Sequence, residues 1–143
     1  MAPEFGEDMA TFPFESLDYL YVPAHAIEAS IAFYTGTLGG ELLWLIRDGP
    51  TAVAAVRLSG EGPLILLANH LAPGGPVLIY RVQNVSATRA ALIAQGWALD
   101  SDLFEIPQGP CIVFRGPEGQ RLATYERVRP DADRRFMGRF DEK

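Results

Sequence analysis

Tyr19 and Tyr21 stand two residues apart in SLDYLYV (16–22), Arg81 lies near the end of PVLIYRV (76–82), and Arg121 and Tyr125 stand four apart in RLATYER (121–127). Alternate residues of an extended strand share a face, so each of these groups projects to one side of its strand. Together they offer aromatic planes for stacking, phenolic hydroxyls for hydrogen bonds and two guanidinium forks shaped to hold a carboxylate or phosphate. That is the chemistry of binding an aromatic or acidic small molecule. The same residues also suit a structural task, with the rings filling a closed barrel and each arginine paired to a neighbour such as Asp18 or Glu126.

The other reactive side chains are sparser. His25 and His70 sit beside turn sequences, where a solvated loop histidine is the simpler reading than an acid–base group. Cys111 follows Pro110 with Arg115 as its nearby cation and no local histidine, the setting of a small buried hydrophobe rather than a thiolate. Glu105 precedes Ile106-Pro107 and is either a general base, if it reaches a cleft, or a solvated loop carboxylate. Trp44 lies in ELLWLI, apolar on both faces, and is assigned to core packing. Phosphate-cradling glycine loops, a nucleophile elbow and CxxC pairs are all missing from the sequence, and no cofactor is expected.

Charge and length narrow the class further. Twelve Lys plus Arg against eighteen Asp plus Glu give a net charge of −6, which argues against a phosphate backbone, and hence nucleic acid, as the main partner. A single cysteine excludes an internal disulfide framework and a multi-cysteine zinc site, so a cytoplasmic location is expected. No apolar run approaches the roughly 18 residues that cross a bilayer, and MAPEFGEDMATF lacks the basic and apolar parts of a signal peptide. At 143 residues, 48% of them apolar, the chain is one ordinary domain.

The elements that must position these side chains follow from periodicity. SLDYLYV reads as a strand ended by Pro23. From 26 to 38, Ile27, Ile31, Tyr34 and Leu38 recur at helical spacing until Gly39-Gly40. Three apolar runs at 41–46, 51–58 and 63–68, parted by RDGP and SGEG, form a meander, and NHLAPGG (69–75) is a linker. The order then returns: a strand at 76–82, a helix at 85–95 capped by Asn84 and stopped by Gly96, a weaker strand within 97–106, and strands at 111–115 and 121–127 joined by GPEG. The helix starts IEAS and VSAT lie 58 residues apart, the period of a duplicated unit. The expected organisation is therefore α+β: two βαβββ modules at 16–68 and 76–128. Residues 1–15 are set outside the fold as disordered or vector-derived, with Met9 a candidate native start, and the charged tail 129–143 is read as an arm or a frayed end.

Two stretches resemble a known family. IEASIAFYTGTLGG (27–40) is similar to the helix of the glyoxalase/bleomycin-resistance/extradiol-dioxygenase proteins, the vicinal oxygen chelate superfamily, with its Phe-Tyr pair and Leu-Gly ending. GPEGQRLATYE (116–126) is similar to that family's Asp-Pro-x-Gly turn and last strand. The resemblance implies two βαβββ modules in a half-open, eight-stranded barrel around a cleft, commonly in a dimer. Open sheet edges on each module likewise favour a homodimer. Counting from the helices, the family's metal-ligand positions fall on Tyr19, Val77, Ala123 and the aliphatic run 64–67, so no metal is expected.

Strand parity then lines that cleft. Leu20 and Val22 pack under the first helix while Leu17, Tyr19 and Tyr21 face the cleft. Leu78, Tyr80 and Val82 face the second helix, leaving Val77, Ile79 and Arg81, joined by Arg121, Ala123 and Tyr125 of the last strand. The leading functional expectation is a metal-independent protein that binds a small aromatic or amphipathic molecule through Tyr19, Tyr21, Arg81, Arg121 and Tyr125. The alternatives are a lyase, isomerase or dioxygenase of the same fold, using His70 or Glu105 as unusual ligands or Tyr19 and Arg81 without metal, and an interaction module whose cleft is filled by its own side chains.

Overall fold

The computed structural model describes residues 14–142. Strand β1 (Phe14–Pro23) runs into helix α1 (Ile27–Ala32), followed by β2 (Glu41–Asp48), β3 (Thr51–Arg57) and β4 (Leu64–Ala68). The second module repeats the order with β5 (Val77–Val82), α2 (Val85–Ala94), β6 (Ala98–Leu99), β7 (Phe104–Ile106), β8 (Gly109–Arg115) and β9 (Arg121–Glu126), and α3 (Ala132–Phe136) follows. Of the expected N-terminal segment 1–15, residues 1–13 lie outside the described ones, and Phe14 and Glu15 belong to β1.

Within each module the first strand lies parallel to the last: β1 against β4 with Tyr19 opposite Leu64, and β5 against β9 with Ile79 opposite Ala123. The modules join through the antiparallel pair β1–β5, giving one curled sheet in the order β2-β3-β4-β1-β5-β9-β8-β6, with β7 also on β8. The two modules therefore pair within one chain.

Nine strands form among the described residues rather than eight, because the weak strand after α2 is broken in two. At the break Asp100 N still donates to Val113 O at 2.8 Å, and side chains add to it: Ser101 Oγ accepts from Val113 N at 3.0 Å, and the Asp100 carboxylate takes the Arg115 fork at 3.0 and 3.1 Å. The first helix also departs from regularity. After Ala32 it widens into a π turn at Phe33–Thr37, where Leu38 N donates to Phe33 O five residues back. Gly40 then passes so near its neighbours that a Cβ would stand 2.9 Å from Tyr34 O and from Val56 Cγ1. In α2, Asn84 Oδ1 accepts from Ala87 N at 2.9 Å, a cap typically worth ~1 kcal/mol, and Gly96 ends the helix at φ +95°.

Three clusters divide the core. α1 covers Ala54, Val56, Ile65 and Leu67. α2 covers Val82, Ile112 and Phe114. The third fills the concave face of the sheet with Tyr19, Trp44, Leu66, Ile79, Cys111 and Tyr125. The tail returns to that face, where α3 packs on β2 and the chain beyond it lies along the outer edge of β2.

Candidate functional site

Parity puts Tyr19 and Tyr21 on the concave face, and both are found in its cluster. Two irregularities then reshape β1. Between Phe14 and Ser16, and again between Leu17 and Tyr19, two residues of β1 stand against one of β5, so Glu15 and Asp18 are extra residues in their strand. Both approach Arg81, whose Nε lies 3.4 Å from Glu15 Oε1 and 3.7 Å from Asp18 Oδ2. Asp18 also accepts from the Tyr125 hydroxyl and from Ser16 Oγ.

The five expected site residues thus divide. Tyr21 lines a cavity of about 340 Å³. Tyr19 and Tyr125 lie deeper, with ring centroids 5.7 Å apart, and Tyr125 is fully buried. Arg81 is engaged by the two bulged carboxylates. Arg121 is turned to the linker, where Nη2 donates to Gly75 O at 2.5 Å and holds 69–75 against β9. The two guanidinium groups do not converge on this cavity.

Residues that parity did not select form most of its wall. Trp44 and Ile46 of β2, Val53 of β3 and Leu66 of β4 stand on the sheet side, and Ile106, Pro107 and Gln108 close the opposite side. Phe136 of α3 completes it, meeting the Trp44 ring edge to face at 5.2 Å. Asp48, Thr51 and Glu105 add polar groups. Glu105, considered above as a base, is exposed and ion-paired to Arg129. The buried Trp44 Nε1–H finds no acceptor among the described residues, whereas a buried indole usually has one. Within β2, a bulge between Leu42 and Trp44 shifts the alternation of a run that is already apolar on both faces, so sequence parity does not place the indole.

Burial sets the acid–base character of this face. It pushes the Tyr21 phenol up to about 12 and the Cys111 thiol up to about 12. Tyr19 and Tyr125 are raised further, first by burial and then by hydrogen bonds to Asp133 and Asp18 respectively. All four are therefore neutral at pH 7, and none is an activated nucleophile or base. His70, exposed and edge-on to Tyr21 at 6.1 Å, is lowered by partial desolvation.

The positions that the resemblance assigns to metal ligands do come together: Tyr19, Val77, Ala123 and Leu66 belong to one buried cluster. They present one phenol, whose proton is held by Asp133, and three aliphatic side chains. That donor set does not fit a divalent cation. Among the described residues there is also no group of three His, Cys, Asp or Glu able to hold a metal ion.

Paired βαβββ modules, joined into one curled sheet around an apolar cavity, define a particular class of α+β protein. The family model of the Glyoxalase/Bleomycin resistance protein/Dioxygenase superfamily matches residues 16–124, and the chain belongs to that superfamily. No curated protein matches it. Among solved structures it is similar to methylmalonyl-CoA epimerase from Mycobacterium tuberculosis, at 19% identity and a TM-score of 0.67, covering 88% of this chain and 97% of that one. A hypothetical protein from Bacillus halodurans follows at 17% and 0.65, covering 78% and 93%. A methylmalonyl-CoA epimerase variant from Streptomyces coelicolor, in complex with 2-nitronate-propionyl-CoA, gives 16% and 0.63, covering 80% and 99%. At these identities the likeness is one of fold.

Proposed function

We propose that this chain binds a small aromatic or amphipathic molecule in the cavity between β2, β7 and α3, and does so without a metal. The observation that carries the reading is the cavity wall itself: Tyr21, Trp44 and Phe136 supply ring faces and edges around about 340 Å³, within the range of small-molecule sites. Thr51 and Gln108 offer hydrogen-bonding groups beside them, and the unsatisfied Trp44 N–H is a further donor at the wall. One buried phenol and three aliphatic side chains at the superfamily's ligand positions support metal independence.

A thermal-shift screen of aromatic and amphipathic compounds, followed by titration on Trp44 fluorescence in a Trp97→Phe background, tests the proposal. Compounds that raise the melting temperature should quench Trp44 and lose at least tenfold in affinity on Tyr21→Ala, since about 1.4 kcal/mol corresponds to tenfold. Stabilising compounds that leave Trp44 unaffected would place binding elsewhere. Elemental analysis after refolding with Zn²⁺, Mn²⁺ or Fe²⁺ checks the second half: one tightly held ion per chain would overturn metal independence.

A further inference from the structure

Two buried donors, one on a strand and one in a hairpin turn, meet on a single carboxylate. The Tyr19 hydroxyl donates to one oxygen of Asp133, and Gln108 Nε2 donates to the other at 2.8 Å. Tyr19 and Gln108 are each only 3% exposed; Tyr19 comes from β1, and Gln108 from the two-residue turn that joins β7 to β8, closed by the pairing of Ile106 with Gly109. Asp133 comes from α3, whose five residues are too few to be stable as an isolated helix. The acceptor thus belongs to an appended segment and the donors to the framework.

The surroundings favour an anion at this point. Asp18, the other carboxylate on the wall of the small cavity that Asp133 lines, is already held by Tyr125, Ser16 and Arg81. That cavity, of about 170 Å³, is also walled by Tyr19 and Arg127, and Arg127 is the cation among its lining residues. Gln108, the other donor, lines the larger cavity. Asp133 therefore bridges the wall of the smaller cavity and a lining residue of the larger.

We infer that Tyr19 and Gln108 form a seat for the carboxylate of a bound molecule, occupied in this closed form by the chain's own Asp133 as an internal competitor. The inference rests on reading the larger cavity as a binding pocket, and it specifies the ligand as an amphipathic acid: an aromatic body against Tyr21 and Trp44, and a carboxylate on Tyr19 and Gln108. Binding then requires the Asp133 side chain to leave the seat while Phe136 of α3 stays on Trp44, and the apparent affinity falls in proportion to the fraction of chains in which the seat is open. An open fraction of about a tenth weakens binding about tenfold.

The test is a titration of the full-length chain with 2-naphthylacetate and its neutral match 2-naphthylacetamide, read by Trp44 fluorescence and by calorimetry. Asp133→Ala should bind the acid about tenfold more tightly than wild type while the amide changes little, and Tyr19→Phe in that background should remove the gain. Asp133→Asn, which keeps the volume and weakens the acceptor, gives the same ordering with a smaller gain and serves if Asp133→Ala melts early. Equal gains for acid and amide would make α3 a simple door and overturn the seat while leaving the pocket. Binding of neither probe to any of the proteins would overturn the pocket reading and the seat with it.

Discussion

The Phe136 and Trp44 rings meet edge to face at 5.2 Å, so the last helix supplies a wall of the cavity whose floor is the first module's sheet. Phe136 is half-buried and Trp44 fully buried. Such a pair contributes about 0.5–1.5 kcal/mol beyond the apolar area it hides. Phe136→Ala should therefore lower stability by about 2–3 kcal/mol. Trp44 emission should also shift to the red and become quenchable by acrylamide. A stability loss with unchanged emission would separate Phe136 from the cavity wall.

Tyr125 is fully buried and its hydroxyl is donated to Asp18, a carboxylate left in the sheet by the bulge in β1. Tyr125→Phe keeps the ring and removes the donor, leaving the charge with Ser16 and Arg81. A hydrogen bond to a charged group is worth about 1.5–3 kcal/mol, and a loss of that size is expected in denaturant unfolding. Asp18→Asn in the Tyr125→Phe background should cost less than the sum of the two single changes, because both remove the same interaction. Additivity would show that the two side chains act independently.

Buried phenols and a buried thiol make stability sensitive to alkali. Cys111 and Tyr21 are each raised to about 12, and Tyr19 and Tyr125 also lie above the ordinary phenol value. The folded chain then keeps protons that the unfolded chain gives up, so its stability is complete below pH ~9 and falls as pH rises from there through 12. Denaturant midpoints measured between pH 8 and 11 should decline progressively, and Cys111→Ala should delay the first part of the decline. The same burial, 1% exposure, should make Cys111 react with a thiol reagent at pH 8 only at the rate of global opening. Rapid modification of the folded protein would contradict the placement of the thiol.

The fold was legible because its signals are local and repeated. Ile27 and Ile31 at helical spacing, Asn84 as a cap, Gly96 as a stop and the GPEG turn each fix an element from a few neighbouring residues. Parity likewise found the concave face through Tyr19, Tyr21, Val77, Ile79, Ala123 and Tyr125. It failed to find the partners of those side chains. The extra residues Glu15 and Asp18 break the alternation of β1, and nothing in FESLDYL marks where the ladder slips. They take up Arg81, which otherwise faces the cleft. Arg121 satisfies linker carbonyls, a contact set by how 69–75 crosses β9 rather than by any pattern in either segment. The tail was harder still. RPDADRRFMGRF carries too few apolar residues to show a period, and Asp133, Phe136 and Phe140 find their places only through contacts with β1 and β2.

That tail also covers an edge on which the expectation of a homodimer partly rested. Beyond α3 the chain runs along β2: Gly138 N donates to Leu43 O at 2.9 Å, Leu45 N to Arg139 O at 2.8 Å, and Asp141 N to Leu45 O at 2.8 Å. Arg47 N donates to the Asp141 carboxylate at 2.9 Å. The edge so covered reads ELLWLI, a long apolar strand that pairs readily with another chain when left bare. Removing residues 130–143 strips those four hydrogen bonds from β2 and takes Phe136 off Trp44 at the same time. The shortened chain should therefore self-associate beyond the state of the full-length protein, with concentration-dependent sedimentation at micromolar levels. It should also lose its sharp melting transition before the full-length protein does. Unchanged sedimentation of the shortened chain would mean that the tail does not guard this edge.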